Sequence, residues 1–170
     1  SLIVDTDEAV KPKLKKKGFQ SCWIKRGDFH AMHKEDVSFV RHAEEAQEVL
    51  QEYFLRGIKR AVINVHLEGD LVKFYGVNGT PFFYWFYPFD LGHSKYGWEE
   101  VNGKSRGIKF DEEEFQRIWQ KAAHELNVEV YGGDCIVSPE GEIRIIDFND
   151  WPSFAPCRTE AAPHIAKRVL

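Results

Sequence analysis

Residues 130–154 read VYGGDCIVSPEGEIRIIDFNDWPSF, and this stretch decides the fold. Two segments rich in β-forming residues, GGDCIVS and EIRIIDFND, flank the turn sequence Pro139-Glu140-Gly141, which predicts a β-hairpin. If the loop is Pro139-Glu140 alone, Ser138 pairs with Gly141 and Asp134 lies opposite Ile145. That register places Asp134 diagonal to Asp147, roughly 7–8 Å away, and a bulge at Gly141 would shift it by one residue.

The hairpin carries three oxygen-bearing side chains, Asp134, Asp147 and Asn149. Asp147 and Asn149 are two residues apart and therefore share one face of their strand. Each alone is typical of a strand end or a turn, but apolar strands rarely carry unpaired carboxylates. Two carboxylates and an amide oxygen are hard ligands that suit Mg²⁺ bound to substrate phosphates. The sequence therefore predicts a metal site on this hairpin.

Composition excludes several classes of protein. The 170 residues are 43% hydrophobic and 29% charged, with a formal net charge of −4, which gives no case for nucleic acid or an anionic membrane as partner. No stretch approaches the ~18 consecutive apolar residues of a membrane span. The three cysteines, Cys22, Cys135 and Cys157, form no CxxC pair, so we expect a reducing, cytoplasmic setting.

Helix and strand patterns intermix without strict βαβ alternation, which predicts an α+β fold. We expect helices over 6–17 with Thr6 as N-cap, over 43–54 ending at Gly57, from Asp111, and over 159–169. We expect strands over 21–25, 36–40, 60–65, 71–77 and 81–87. The predicted buried faces are Ala43, Ala46, Val49, Leu50, Tyr53 and Phe54 in one helix, and Ile118, Trp119, Ala122 and Leu126 in another.

Two lysines within apolar strands are candidate phosphate ligands. Lys25 ends the strand CWIK and Lys73 lies inside LVKFYGV, where an ammonium group is unusual. Together with the three oxygen ligands they favour a phosphate-binding constellation. The segment GWEEVNGKS at 97–105 has the wrong spacing for a P-loop, and the pair His30 and His33 lacks a third ligand for zinc.

These residues, in this order, resemble the ATP-grasp superfamily over nearly the whole chain. Asp134, Asp147 and Asn149 are similar to its Mg²⁺ triad, and DWPSF to the proline-containing segment that follows it. SCWIKR and DLVKFYGVNG resemble the strands that supply two phosphate-binding basic residues, here Lys25 and Lys73. AVINVHLEG resembles the hinge that meets adenine, which implies Asn64, Val65 and His66 as nucleotide contacts, with Asp70 or Glu68 near the ribose.

The resemblance implies two α+β lobes with antiparallel sheets that hold ATP and Mg²⁺, with Mn²⁺ as a possible substitute. The small lobe would span about 18–66 and the large lobe about 67–170. Closest in character are the glutathione-synthetase-like ligases, among them the ribosomal-protein glutamate ligases, and the inositol phosphate kinases. Lys25 and His30, five residues apart, resemble a lysine and histidine of the kinase branch.

Three departures from the family pattern matter. Asn64-Val65 stands where a glutamine or glutamate is common in the hinge. Gly132 occupies a position where several ligases carry an arginine that steadies the reacting carboxylate, and Arg144, Arg106 and Arg158 are the candidate substitutes. The chain also begins where the ATP-grasp lobes begin, which predicts either a fragment of a longer protein with an N-terminal domain or a reduced version.

We therefore expect an ATP- and Mg²⁺-dependent carboxylate–amine ligase that works through an acyl phosphate, with Lys73 and Arg144 as catalytic residues. The acceptor, a small molecule or a peptide, cannot be read from the sequence. A small-molecule kinase with the same ATP site is the first alternative, since a polyol could receive the phosphoryl group. A non-catalytic nucleotide-binding module is the second.

Overall fold

The computed structural model describes residues 1–29, 31–89 and 99–169. The predicted nucleotide contact His30 and residues 90–98 of the predicted long loop lie outside this part of the chain. The chain divides into two compact units, Ser1–His66 and Leu67–Leu170. Each unit contains one four-stranded antiparallel sheet with helices, so the α+β class is confirmed.

The first unit is a sheet with strand order β1-β4-β2-β3. Its elements are β1 (Leu2–Asp5), α1 (Lys11–Lys16), β2 (Cys22–Arg26), β3 (Val37–Val40), α2 (Ala43–Leu55) and β4 (Arg60–Val65). Strand residues alternate between the two faces of the sheet, so Cys22 and Ile24 are buried while Trp23 and Lys25 share the other face. Leu14, Leu50 and Tyr53 of the two helices complete the core.

Two predictions for this unit were wrong, and one strand was missed. The first helix begins at Lys11, and the Thr6 hydroxyl donates a buried hydrogen bond to the Ile58 carbonyl at 2.7 Å instead of capping that helix. Residues 2–5 form a strand that pairs with β4, which the short stretch LIVD did not reveal. Phe54 is 54% exposed because the buried stripe of α2 ends at Tyr53.

The second unit is a sheet with strand order β6-β5-β7-β8. Its elements are β5 (Asp70–Val77), β6 (Phe83–Phe86), α3 (Glu99–Asn102), α4 (Glu112–Leu126), β7 (Val130–Val137), β8 (Ile143–Asp150) and α5 (Arg158–Val169). Both predicted hairpins, β5–β6 and β7–β8, are confirmed. Within the described residues, no helix is long and apolar enough to cross a membrane.

The two faces of this sheet are covered differently. Helix α4 packs on one face, where the rings of Trp119 and Phe74 stack with centroids 3.4 Å apart. Residues of β5 on the opposite face, Tyr75 and Val77, pack with Cys157 and Ala161 near the start of α5. Lys73 lies two residues before Tyr75 on that second face, beyond the part of the sheet that this cluster covers.

Helix α4 starts as predicted but buries a different stripe. Asp111 caps it by accepting backbone hydrogen bonds from Glu113 and Glu114, and the rings of Phe110 and Phe115 lie 5.0 Å apart as the predicted staple. The fully buried residues are Phe115, Trp119 and Ala123. Of the four residues predicted to be buried, only Trp119 is fully buried, and Leu126 is 59% exposed.

Candidate functional site

The register of the β7–β8 hairpin differs from the two-residue loop expected from the sequence. Val137 pairs with Ile143, and Ser138 N donates to Glu142 O at 2.8 Å, so the turn contains more residues than Pro139-Glu140. Asp134 lies directly opposite Asp147 and not opposite Ile145. The two carboxylates are thus nearest cross-strand neighbours, with Cβ atoms typically about 4.5–5.5 Å apart in such pairs.

A β-bulge in β8 produces this alignment. Cys135 pairs with Ile145 and the preceding Asp134 pairs with Asp147, so β8 carries one additional residue, Ile146, between the two pairs. The bulge reverses the alternation of side chains along β8. Ile143 and Phe148 are five residues apart and would otherwise lie on opposite faces, but both pack against the core beside α4. Asp147 is consequently turned to the same face as Asp134.

A row of charged and polar side chains crosses three strands on this face. Lys73 of β5 lies opposite Asp134 of β7, and its Nζ is 2.7 Å from Asp134 Oδ1. On β8, Asn149 Nδ2 donates to Asp147 Oδ2 at 2.8 Å. We call Lys73, Asp134, Asp147 and Asn149 the cation row. Their sheet positions bring together one predicted phosphate ligand and all three predicted metal ligands.

The cation row is partly buried and has a surplus of negative charge. The side chains of Lys73 and Asp134 are 25% and 22% exposed, so both remain accessible to a ligand. Two opposed carboxylates repel each other in a sheet, and within the cation row Lys73 is the residue with a positive charge. Because Asn149 donates through Nδ2, its Oδ1 remains the atom able to bind a cation.

The donor set fits a hard divalent cation. Within the described ranges, no three histidine, cysteine, aspartate or glutamate side chains converge as a metal cluster. The cation row instead offers two carboxylates and one amide oxygen, which suits Mg²⁺ completed by water and phosphate oxygens. Asp134, Asp147 and Asn149 are therefore the residues that could hold the ion.

Two glycines allow the strands beside the cation row to approach closely. A Cβ on Gly132 would lie 2.8 Å from Phe74 O and 2.9 Å from both Pro152 Cγ and Tyr75 Cδ1. A Cβ on Gly133 would lie 2.1 Å from Asp147 O. The space beside Gly132 is thus filled by Pro152 and Tyr75, which the sequence did not indicate.

The other candidate residues of the second unit make different contacts. Arg144 is exposed and its Nη2 donates to Glu142 Oε2 at 2.8 Å, so it pairs with the hairpin turn. Asp70 is buried and accepts backbone N–H groups from Arg106 at 2.9 Å and Ile108 at 2.8 Å. Asp70 therefore ties the segment before α4 to the start of β5. The catalytic role of Arg144 and the ribose contact of Asp70 stay predictions.

The first unit places its predicted nucleotide contacts on or next to one face of its own sheet. Lys25 and Trp23 alternate with buried residues on β2, and Asn64 lies opposite Trp23. Trp23 Nε1 donates to His66 Nδ1 at 3.1 Å, and Asn64 Nδ2 donates to Ser1 Oγ at 2.6 Å. Val65, next to Asn64, is 40% exposed.

Sequence reasoning missed an aromatic group on that face. The rings of Trp23 and Phe39 lie 5.0 Å apart, and those of Phe39 and His66 lie 5.1 Å apart. The signal was the position of Trp23 between Cys22 and Ile24, which are buried on β2. Such flat rings offer a stacking surface next to a lysine.

Sequence reasoning also missed the anchor of the β2–β3 loop. Asp36 is fully buried, and its Oδ2 accepts backbone N–H groups from Met32 at 2.9 Å and His33 at 3.1 Å. Arg56 and Arg26 form ion pairs with the same carboxylate. Burial raises the pKa of Asp36, but these hydrogen bonds and the two guanidinium groups outweigh it and hold the pKa well below its usual range.

The cysteines are poor nucleophiles. All three are buried, and burial raises the pKa of Cys22 and that of Cys157 to about 11. Burial also raises the pKa of Cys135. Because the thiolate is the reactive form, these thiols are structural.

Comparison with known proteins finds similarity only at the level of structure. No protein-family model matches the sequence, and no curated protein matches it. D-alanyl-alanine synthetase A from Vibrio cholerae O1 biovar eltor superposes with a TM-score of 0.65 at 11% identity, over 99% of this chain and 55% of its own. The D-alanine-D-alanine ligase from Coxiella burnetii superposes with a TM-score of 0.67 at 15% identity, over 98% of this chain and 49% of its own.

These superpositions establish the fold. The chain has the α+β ATP-grasp fold of those ligases, with two antiparallel sheets, as the resemblance implied. The chain spans about half the length of the two ligases.

Proposed function

We propose that this chain is an ATP- and Mg²⁺-dependent ligase of the carboxylate–amine type, or the ATP-binding catalytic part of one. The observation that carries the proposal is the cation row, which aligns Lys73, Asp134, Asp147 and Asn149 on one sheet face. The fold shared with two ligases supports the reaction class. A phosphate-handling site and a ligase fold together favour transfer of a phosphoryl group from ATP.

Each residue of the cation row has a distinct task in this proposal. Asp134, Asp147 and Asn149 hold Mg²⁺, which supplies charge neutralisation for the ATP phosphates. Lys73 pairs with Asp134 and would bring its positive charge to a phosphate oxygen. Lys73 thereby stabilises charge on the transferred phosphoryl group and orients it.

The proposed reaction needs no covalent nucleophile from the protein. An oxygen of the substrate carboxylate attacks the γ-phosphorus, the bond to the β-phosphate oxygen breaks, and ADP leaves. The amine of the acceptor then attacks the acyl carbon, and inorganic phosphate departs with its bonding electron pair. The proton lost from the amine passes to solvent. Arg144 keeps its predicted role of steadying the carboxylate.

Residues of the first unit are proposed nucleotide contacts. Lys25 would bind phosphate oxygens as a point charge, and Asn64, Val65 and His66 would meet the base. The rings of Trp23, Phe39 and His66 pack in tilted and edge-to-face pairs. This aromatic group supports base recognition, because a purine can pack against such surfaces. Replacing Lys25 with methionine should raise the Kd for ATP more than the Kd for adenosine.

Ligand-induced stabilisation tests the proposed ATP site. ATP with Mg²⁺ should raise the free energy of unfolding by about 2.7 kcal/mol at one hundred times its Kd, whereas ATP with chelator should do so far less. Asp147→Asn should lose the Mg²⁺-dependent part, and Glu125→Gln, an exposed carboxylate on α4, should retain it. Stabilisation that does not depend on Mg²⁺ or on Asp147 would refute the proposed site.

Product analysis separates the ligase from its rivals. A ligase should release phosphate from ATP only when a carboxylate and an amine are both present, with an amide as the second product. A phosphorylated polyol as the sole product would instead identify a kinase. ATP binding without turnover for any combination of substrates would identify a non-catalytic nucleotide-binding module.

A further inference from the structure

Trp151, the residue after β8, combines an unfavourable backbone conformation with an exposed side chain. Its φ is +43°, in the left-handed region that glycine and asparagine tolerate and bulky residues avoid. Asn127, the C-cap of α4, shares a positive φ, but asparagine is common there. The side chain of Trp151 is 60% exposed, so burial does not explain why tryptophan stands at this position.

Contacts on both sides hold the Trp151 backbone in place. Its N–H donates to the Val130 carbonyl at 2.8 Å, which extends the ladder beyond β8. Pro152 packs on Gly132, and the Phe154 ring lies 5.1 Å from that of Tyr75. These contacts on both sides stabilise the strained backbone conformation of Trp151. Strained residues that are held in this way are concentrated at functional sites.

The segment 151–154 borders the cation row. Trp151 follows Asn149 by two residues, so their Cα atoms are at most about 7 Å apart. Gly132 precedes Asp134 by two residues and Tyr75 follows Lys73 by two, so the residues under Pro152 and Phe154 share the face of the cation row. A molecule that reacts at the cation row therefore has this segment beside it.

We propose that Trp151 determines acceptor specificity by contacting an apolar group next to the reacting amine. An indole offers a large, flat apolar surface with few rotamers to restrict, and its neighbours Pro152, Phe154 and Tyr75 are also apolar or aromatic. This surface favours an aliphatic or aromatic substituent over a small hydrophilic one. The inference rests on the proposed ligase function, whose acceptor it specifies by chemical class.

Three amino-acid amides test the inference, because each carries an amine but no carboxylate that ATP could activate. Glycinamide, leucinamide and phenylalaninamide are titrated calorimetrically into the protein with ADP and Mg²⁺. Phenylalaninamide should bind at least about tenfold more tightly than glycinamide, with leucinamide between them. Trp151→Asn, which retains a residue tolerant of positive φ, should reduce the difference to about twofold without changing the Kd for ATP with Mg²⁺.

Two further variants keep the result interpretable. Trp151→Gly removes the indole with no backbone strain and should reproduce Trp151→Asn. Phe54→Gln removes a similarly exposed ring from α2 and should preserve the ranking of the amides. The inference is overturned if the amides do not bind, bind without ranking, or keep their ranking in both Trp151 variants. If the wild-type protein still bound ATP in a Mg²⁺-dependent manner, such a result would leave the proposed function standing. If the wild-type protein did not bind ATP with Mg²⁺, the proposed function and this inference would both be refuted.

Discussion

Asp134 lies directly opposite Asp147 in the antiparallel ladder of β7 and β8. On its other side Asp134 forms an ion pair with Lys73, whose Nζ lies 2.7 Å from Oδ1. Asp147 accepts a hydrogen bond from the neutral amide of Asn149 at 2.8 Å. The cation row thus contains two negative charges and one positive charge. An additional cation would therefore reduce the repulsion between the two carboxylates.

Asp147→Asn should stabilise the ligand-free protein by about 0.2–1 kcal/mol, because it removes a carboxylate opposed to another. The same change should abolish the Mg²⁺-dependent part of the stabilisation by ATP. Urea unfolding with and without Mg²⁺ and ATP measures both effects, and Glu125→Gln serves as the control. A loss of stability in the ligand-free variant would contradict the repulsion.

Lys73→Met should lower the free energy of unfolding by about 1–2 kcal/mol, since Asp134 loses a partly buried charged hydrogen-bond donor. Mg²⁺ should then stabilise the variant more than the wild type, because the ion and the lysine compensate the same carboxylate. A double-mutant cycle with Asp134→Asn measures this coupling. Coupling near zero would show that the 2.7 Å contact contributes little to stability.

Asp36→Asn should destabilise the first unit by about 3 kcal/mol at pH 7, because Arg26 and Arg56 lose their buried counter-charge. The folded pKa of Asp36 lies below its unfolded value of about 3.9. Its contribution is therefore complete above that unfolded pKa and declines as the pH falls toward the folded pKa.

Urea unfolding between pH 7 and pH 2.5 checks the pH dependence of Asp36. The stability difference between wild type and Asp36→Asn should be constant from pH 7 to about pH 5 and should shrink below about pH 4. Asp28→Asn, which removes an exposed partner of Arg26, is the comparison. A difference that grows on acidification would contradict the depressed pKa.

Gly132→Ala should lower the free energy of unfolding by about 1–3 kcal/mol, because the new methyl group would lie 2.8 Å from the Phe74 carbonyl oxygen in a packed sheet. Gly27→Ala should cost less, since the nearest atom there is 3.2 Å away. Chemical unfolding compares the two variants. Equal costs would show that the sheet around Gly132 relaxes easily.

Trp151→Gly should leave stability unchanged or raise it by up to about 1 kcal/mol, because relief of backbone strain offsets the greater chain entropy of glycine. Trp151→Val should lower stability by about 1 kcal/mol or more, since a β-branched residue fits the left-handed region poorly. Thermal and urea unfolding of both variants check this pair. Equal stability of the valine and glycine variants would argue against strain at Trp151.

Some features were fixed by local chemistry and were visible in the sequence. The hairpin at 130–150 follows from two β-forming segments around a turn, and α4 begins directly after Asp111 because that carboxylate caps the N–H groups of its first turn. The alternation of charged and apolar residues identified Lys73 and Asp147 as unusual strand residues. Local patterns predict burial less well than secondary structure. Phe54 and Leu126 were predicted to be buried, but both side chains are exposed.

The identity of the cation-row residues was determined by the sequence itself, since residue type and strand membership are local properties. Their alignment was decided by the tertiary structure. The turn length and the bulge at Ile146 depend on how Ile143 and Phe148 pack against the core beside α4, and one residue of register determines whether Asp134 meets Ile145 or Asp147. The burial of Asp36 between two arginines and the packing of Pro152 against Gly132 likewise depend on residues distant in sequence.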